Sequence, residues 1–337
     1  MNAEQRFTLP GETVLITGGT GFIGQALVRR LLQHGRYRVR ASVRSGSPDL
    51  PDGAQVFRTG PIDADTDWRE ALTGVSMVVH TAASTQAGTR LSADAMRALH
   101  AVNVEGTSSL AHQAAVAGVR RFLFVSSIKV HGEHSPRGKP FTADGPLSPE
   151  SPYGVSKWKA EQALTLAARQ TGMEWVVVRP PLVYGPRDKG NFSAISTAIE
   201  KGIPLPIGAL RNNRRSLVGL DNLVDLLVTC LDHPQAANEA FLAADGEDLS
   251  TYDLFLRVAR ALDRPPRFFS VPTGLLRSAL RILGQSDIAD RLIGSLQADI
   301  AKTRQQLDWA PSLTVEQGLR QAIRSCPEGQ DRQRKKG

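Results

Sequence analysis

Tyr153 and Lys157 stand four residues apart in a stretch of helical character, which places a phenol and an ammonium on one helix face. A neighbouring ammonium favours the phenolate and draws a tyrosine pKa down from its ordinary value of about 10. Tyr153 so placed could give or take a proton near neutral pH. Ser127 lies upstream, and Gly18-Gly19-Thr20-Gly21-Phe22-Ile23-Gly24 lies near the amino terminus. Tyr-x-x-x-Lys alone is common as a solvated pair. The glycine loop and the serine on a preceding strand make it a candidate for chemistry on a nucleotide cofactor.

The glycines at 18, 21 and 24 follow a strand-like run and precede a helix-like one, the context in which such a loop has meaning. Gly18 permits a tight turn, Gly21 lets backbone approach a pyrophosphate, and Gly24 lets the helix pack on the sheet. NAD-binding folds place an acid about 20 residues beyond the loop, on the ribose 2′-hydroxyl. Here Val43 takes that position and Arg44 follows. A carboxylate would repel a 2′-phosphate and a guanidinium binds one, so NADP(H) is favoured and NAD remains open.

Strand-like and helix-like segments must hold these groups in place. Thr13 to Thr17, Tyr37 to Val43, Met77 to His80, Arg121 to Ser126 and Trp175 to Val178 read as strands. Phe22 to Leu32, a long helix within Asp94 to Ala117, and Tyr153 to Thr171 alternate with them. The rhythm predicts an α/β fold: a Rossmann-type, doubly wound parallel sheet with a smaller C-terminal substrate-binding lobe. The expected division is a dinucleotide-binding unit over 1–180, a lobe with returns to the core over 181–326, and a disordered basic tail over 327–337. Ser250 followed by Asp253 reads as a helix start.

Hydrophobic content of 41% over 337 residues fits a soluble globular protein. No signal-like or membrane-spanning run is present, and Cys230 and Cys326 stand far apart. The expected location is a reducing cytoplasm. The seven histidines form no ligand-spaced pair, so no metal is expected. The net charge of +8 sits partly in Arg332, Arg334, Lys335 and Lys336, and basic residues do not alternate with aromatics, which argues against nucleic acid.

With these residues read, the chain resembles the extended short-chain dehydrogenase/reductase family, in its branch of nucleotide-sugar epimerases, dehydratases and ketoreductases. The resemblance runs from Thr13 to about Ile323. It implies that Gly18, Thr20, Gly21, Phe22, Ile23 and Gly24 cradle the dinucleotide, that Ala82 and Ala83 line it, and that Asp63 contacts adenine. It implies that Asn103, in Asn103-Val104-Glu105-Gly106-Thr107, organises the active site around Ser127, Tyr153 and Lys157. Pro180, in Arg179-Pro180-Pro181, borders the nicotinamide, and Lys157 also binds its ribose. Ser127-Ile128-Lys129-Val130-His131-Gly132, Gly190-Asn191-Phe192 and Asn213-Arg214-Arg215-Ser216 look like bacterial 4-ketoreductases and 4-epimerases of UDP-N-acetylhexosamines in surface polysaccharide synthesis. Asn191 and Arg215 would then hold the nucleotide diphosphate. His131 replaces a tyrosine of the family pattern, a change that could alter the substrate pocket.

In a reductase of this kind NADPH gives the hydride and Tyr153 the proton, while Ser127 donates a hydrogen bond to the carbonyl oxygen. The leading expectation is NADPH-dependent reduction of a UDP-4-keto-6-deoxy-N-acetylhexosamine. The nearest alternative is a C4 epimerase of UDP-hexoses or UDP-N-acetylhexosamines, and a more distant one a non-catalytic dinucleotide sensor. His80 and His131 read as packing or capping residues. Pro272 to Gln285 is amphipathic and reads as a helix packed in the smaller lobe, ahead of a membrane-surface reading. The resemblance implies a homodimer through the helices near 94–117 and 153–171.

Overall fold

Apolar runs too short for helices become the central strands. The computed structural model describes residues 11–46, 49–85, 91–136, 138–186, 188 and 191–324, the side chains of Asn191 and Arg324 excepted. Thr13–Thr17 (β1), Arg38–Val43 (β2), Gln55–Arg58 (β3), Met77–His80 (β4), Arg121–Val125 (β5) and Glu174–Arg179 (β6) join Glu239–Leu242 (β9) in one sheet. Its order is β3-β2-β1-β4-β5-β6-β9, and every pairing is parallel. Leu182–Tyr184 (β7) and Leu217–Gly219 (β8) form a separate parallel pair. Val14, Leu15, Ile16, Met77, Val78 and Val79 are wholly buried, as strands covered on both faces must be.

Helices cover both faces. Phe22–His34 (α1) and Leu220–Asp232 (α7) pack on one, through Leu27, Val28 and Leu31 with Leu223 and Leu227. Arg69–Leu72 (α2), Gly106–Val116 (α4) and Pro152–Thr171 (α5) cover the other, through Leu72, Leu110, Ala114, Ala160 and Leu164. The long helix expected over Asp94 to Ala117 is interrupted. Ala93–His100 (α3) and α4 are joined by a π-helical turn over Ala101–Glu105. Such turns re-aim a side chain without ending the helix, and this one carries Asn103.

The second half contributes to both parts of the molecule. Asn191–Glu200 (α6), Thr251–Ala261 (α8), Thr273–Ile282 (α9), Ser286–Ile293 (α10) and Val315–Arg324 (α12) build the lobe. Leu254, Phe255, Val258, Leu276 and Leu319 form its core. In contrast α7, β9 and Ala301–Leu307 (α11) return to the main sheet, where Leu307 joins the core. Ser250 Oγ accepts from Asp253 N at 3.0 Å and donates to Asp253 Oδ2 at 2.6 Å, the reciprocal cap expected at the start of α8. Residues 327–337 lie outside the described residues. No helix among the described residues is long and apolar enough to cross a membrane.

Candidate active site

The glycine loop is shaped by close backbone approach. Gly18 takes φ of +69°, a left-handed conformation that favours glycine, and its carbonyl accepts from Gly21 N at 2.8 Å. A Cβ on Gly24 would come within 2.2 Å of Gly18 O, so only glycine lets α1 start this near the loop. A Cβ on Gly18 would meet Ala82 at 2.9 Å, which brings the segment after β4 against the loop. Gly21 caps α1 without any side-chain hydrogen bond, so the first-turn N–H groups of Phe22 and Ile23 have no side-chain competitor. That arrangement, at the carboxyl edge of β1, fits a pyrophosphate. Val43 is buried at the end of β2 and Arg44 beyond it is exposed. Asp63 is half-buried in a turn beside α4, where its carboxylate accepts from Thr66 Oγ1 at 3.0 Å and Asp65 N at 3.1 Å.

Ser127 emerges from β5 in extended conformation, and its Oγ accepts from Lys129 N at 3.3 Å. The start of α5 presses on this turn: a Cβ on Gly154 would lie 2.7 Å from Lys129 O. Tyr153 is thereby carried to the Ser127 segment. Ser151 and Pro152 open α5, with Ser151 Oγ accepting from Gly154 N at 3.2 Å. One turn on, Lys157 is 2% exposed; its Nζ donates to Val125 O at 2.8 Å and lies 4.5 Å from the centre of the Phe124 ring. Asn103 clamps the site from behind. Its Nδ2 donates to Ser84 O and to Ser156 Oγ, each at 3.0 Å, and its Oδ1 accepts from Ser84 N at 2.7 Å.

The electrostatics differ from the sequence expectation. Burial pushes the Tyr153 phenol up to about 12, the reverse of the expected direction. Burial also brings the Lys157 ammonium down to about 7, opposed by the Glu161 carboxylate one helical turn further on. Lys157 donates to a backbone carbonyl and faces an aromatic ring, and burial alone sets the direction for the phenol.

The histidines near the site are locked in the interior. His80 Nδ1 meets Thr17 Oγ1 at 2.5 Å and Nε2 meets Thr107 Oγ1 at 2.9 Å. Thr107 already donates to Asn103 O at 2.7 Å, so it must accept from Nε2–H, and Thr17 donates to Nδ1. Burial, then Lys157, holds His80 neutral with a pKa lowered to about 3. His131 donates from Nδ1 to Pro146 O at 3.0 Å and accepts at Nε2 from Arg179 Nη1 at 3.2 Å. It also stacks on Phe141. The replacement of tyrosine by His131 therefore alters a buried support rather than the pocket lining. Arg179 in turn forms a two-pronged pair with Glu161, at 3.0 and 2.7 Å, both side chains nearly inaccessible. This pair was not foreseen, although Glu161 at Lys157 plus four carried the helical-face signal.

On the lobe side, Arg215 bridges Leu249 and Leu296, and its Nη1 donates to Gly294 O at 3.1 Å. Burial lowers its pKa to about 10, with Glu133 opposing and the positive charge of Arg291 adding to the fall. Arg291, on α10, is a second cation near Arg215 that sequence reading missed, because only the folded lobe brings the two together. The Asn191 side chain lies outside the described residues. Lys129 Nζ meets Glu133 Oε2 at 2.7 Å, close after Ser127 in the chain. Ser126 Oγ and Glu133 Oε1 are buried without hydrogen-bond partners among the described residues. No metal-binding group of His, Cys, Asp and Glu is found among the described residues.

This geometry meets its counterparts in known proteins. The NAD dependent epimerase/dehydratase family model matches residues 14–244, a span from β1 to just beyond β9. The chain belongs to this family. It is 42% identical over 321 residues to the UDP-glucose 4-epimerase of Vibrio cholerae, covering 95% of this chain and 97% of that one. Among solved structures, a short-chain dehydrogenase/reductase superfamily protein from Agrobacterium tumefaciens with bound NAD is 25% identical. It has a TM-score of 0.73 and covers 96% of this chain and 98% of that one. MoeE5 in complex with UDP-glucuronic acid and NAD is 26% identical, with a TM-score of 0.74, covering 94% and 98%. The family match spans the glycine loop, Asn103, Ser127, Tyr153, Lys157 and Arg215, and ends before α8.

Proposed function

We propose that this protein is an NAD(P)-dependent C4 epimerase of a UDP-hexose or UDP-N-acetylhexosamine. The observation that carries the reading is the 42% identity, over nearly the full length of both chains, to a UDP-glucose 4-epimerase. That likeness supports the epimerase alternative over the 4-ketoreductase that led the sequence reading. The buried Ser127, Lys157 and Asn103 set, with Tyr153 beside it, supports chemistry at a sugar hydroxyl rather than a sensing role.

Gly18, Gly21, Gly24 and the first turn of α1 would hold the dinucleotide. When bound, its nicotinamide supplies a hydride acceptor and donor for C4. Tyr153 removes the proton from the 4-hydroxyl as the carbonyl forms and returns it when the carbonyl is reduced. Ser127 Oγ donates to the same oxygen as its charge changes. Lys157, held by Val125 O one helical turn from Tyr153, would lend positive charge to the Tyr153 phenolate when protonated, against the burial that holds the phenol up at about 12. Arg215, with Arg291 near it, would offer positive charge to the diphosphate. Ser126 Oγ and Glu133 Oε1 offer unpaired groups to sugar hydroxyls. Inversion requires the keto sugar to present its other face between the two transfers.

Arg44 tilts the cofactor preference toward a 2′-phosphate, with NAD still accepted, and a homodimer across α4 and α5 is supported by their exposed Val116 and Leu166. The test is incubation of purified protein with UDP-N-acetylglucosamine and, separately, UDP-glucose, read by NMR and at the reduced-nicotinamide band. The reading expects interconversion at C4 with no net change in that band. Stoichiometric NADPH consumption with a 4-keto-6-deoxy sugar nucleotide, and no interconversion, would restore the reductase.

A further inference from the structure

We propose that Glu133 sets the charge class of the sugar: its carboxylate admits a neutral hexose and turns away a hexuronate. Ser127 Oγ, the group that meets the C4 oxygen in the proposed reaction, accepts from Lys129 N at 3.3 Å. The side chain of Lys129 leaves the main chain at that point, and its Nζ donates to Glu133 Oε2 at 2.7 Å. The other carboxylate oxygen, Oε1, is buried and has no hydrogen-bond partner among the described residues. An ordinary surface ion pair has both oxygens in water, which screens their charge. Here neither water nor a donor covers Oε1, so its negative field persists.

The segment that carries Glu133 joins the two walls of the cleft. Ser135, two residues on, donates from its N to Ser295 O at 2.9 Å, and its Oγ accepts from Gln297 N at 2.9 Å. Ser295 follows Gly294, whose carbonyl holds Arg215 Nη1 at 3.1 Å. The Glu133 charge also acts on Arg215. A hexose reaching from Ser127 to a diphosphate at Arg215 spans the same interval as this carboxylate. The turn is shaped to keep it there. Gly132 takes φ of +143°, and a Cβ on it would meet Glu150 Oε1 and the Phe141 ring at 3.3 Å. Glu133 N donates to the same Glu150 oxygen at 3.4 Å, which brings a second negative charge to the turn.

The cations of this interval are committed. Lys129 is taken by Glu133, and Arg215 with Arg291 serves the diphosphate. A sugar carboxylate would meet like charge and no released cation, which is selection by repulsion. Removing the Glu133 charge frees Lys129 to pair with it.

The experiment is calorimetric titration of the NAD-loaded full chain with UDP-glucose, UDP-glucuronic acid and UDP, the last correcting for any change at the diphosphate. The wild type is expected to bind UDP-glucose about a hundredfold tighter than UDP-glucuronic acid, the size of a like-charge clash. Glu133→Gln should cut that ratio to about tenfold or less, and Glu133→Asp, which keeps the charge, should retain it. Both variants should keep the wild-type circular dichroism. Equal wild-type affinities for the two sugars overturn the proposal. So does a ratio unmoved in Glu133→Gln, or one lost equally in Glu133→Asp, which would make the effect one of packing. The inference rests on the UDP-sugar reading and not on inversion at C4. Selective binding of UDP-glucose without interconversion would sink the epimerase and leave the selection standing.

Discussion

The two walls of the cleft are built by different means. On the sheet side Lys157 and Asn103 are held to the main chain by bonds of 2.7 to 3.0 Å, at Val125 and Ser84. These groups descend from strand ends and helix starts whose packing leaves no slack. On the lobe side Arg215 holds a single carbonyl, Gly294, and shares its surroundings with another arginine. The contrast separates two tasks. Proton and hydride transfer need atoms held in one arrangement. Turning a sugar over needs a partner that grips the diphosphate and leaves the ring free.

The largest effect that could break this contrast is on the sheet side. Tyr153→Phe and Lys157→Met are each expected to lower turnover by about 10²–10⁴-fold with the fold intact, as lost acid–base catalysis does. Steady-state rates of pure variants check it, and near-normal turnover of Tyr153→Phe would remove the phenol from the mechanism. Lys157→Met carries a second signature. Burial lowers this amine from 10.5 to about 7. Between those values the unfolded chain holds a proton that the folded chain has released. The site's contribution to stability therefore rises with pH and is lost as pH falls through about 7. Lys157→Met should melt above wild type at pH 7, and the gap should close toward pH 10. A constant gap across that range would contradict the burial of the charge.

Next in size is the support behind the sheet wall. Glu161→Gln leaves Arg179 buried without its carboxylate, at a cost of about 3–5 kcal/mol in unfolding free energy. Denaturant titration reads it directly; an unchanged midpoint would mean that the pair is solvated. Gly24→Ala forces its Cβ against Gly18 O and should cost about 1–3 kcal/mol, with loss of dinucleotide binding. The smallest effects are on the outer contacts. Arg215→Met should raise KM for the nucleotide sugar about tenfold or more and leave kcat within a few-fold, because a charged hydrogen bond is lost in ground and transition states alike. Arg44→Asp should shift calorimetric affinity from NADPH toward NADH; equal affinities in the parent would make Arg44 plain surface charge.

The sheet wall is also the part that was readable beforehand. β1, α1, β4, β5 and α5 announce themselves by apolar runs, glycines and caps, and the motif residues sit at their ends. The edge strands did not show. β3 is four half-exposed or exposed residues, and β9 is recruited from the second half of the chain by pairing with β6, which no local pattern reveals. The π turn at Asn103 has no local signal in the sequence, and the side chain it carries is bonded to Ser84, 19 residues away. Tyr153 shows the limit of spacing arguments. The four-residue interval places Lys157 on the right face, but the depth of burial sets the direction of the phenol's pKa. Arg291 comes near Arg215 only through the stacking of the lobe helices, which sequence periodicity does not reveal.

In the proposed reaction hydrogen leaves and returns to C4 within the sheet-side site. Running the UDP-hexosamine conversion in ²H₂O tests it most directly. The expected product carries protium at C4, because the hydride never meets solvent while the Tyr153 proton exchanges only on oxygen. Deuterium at C4 of the product would contradict it.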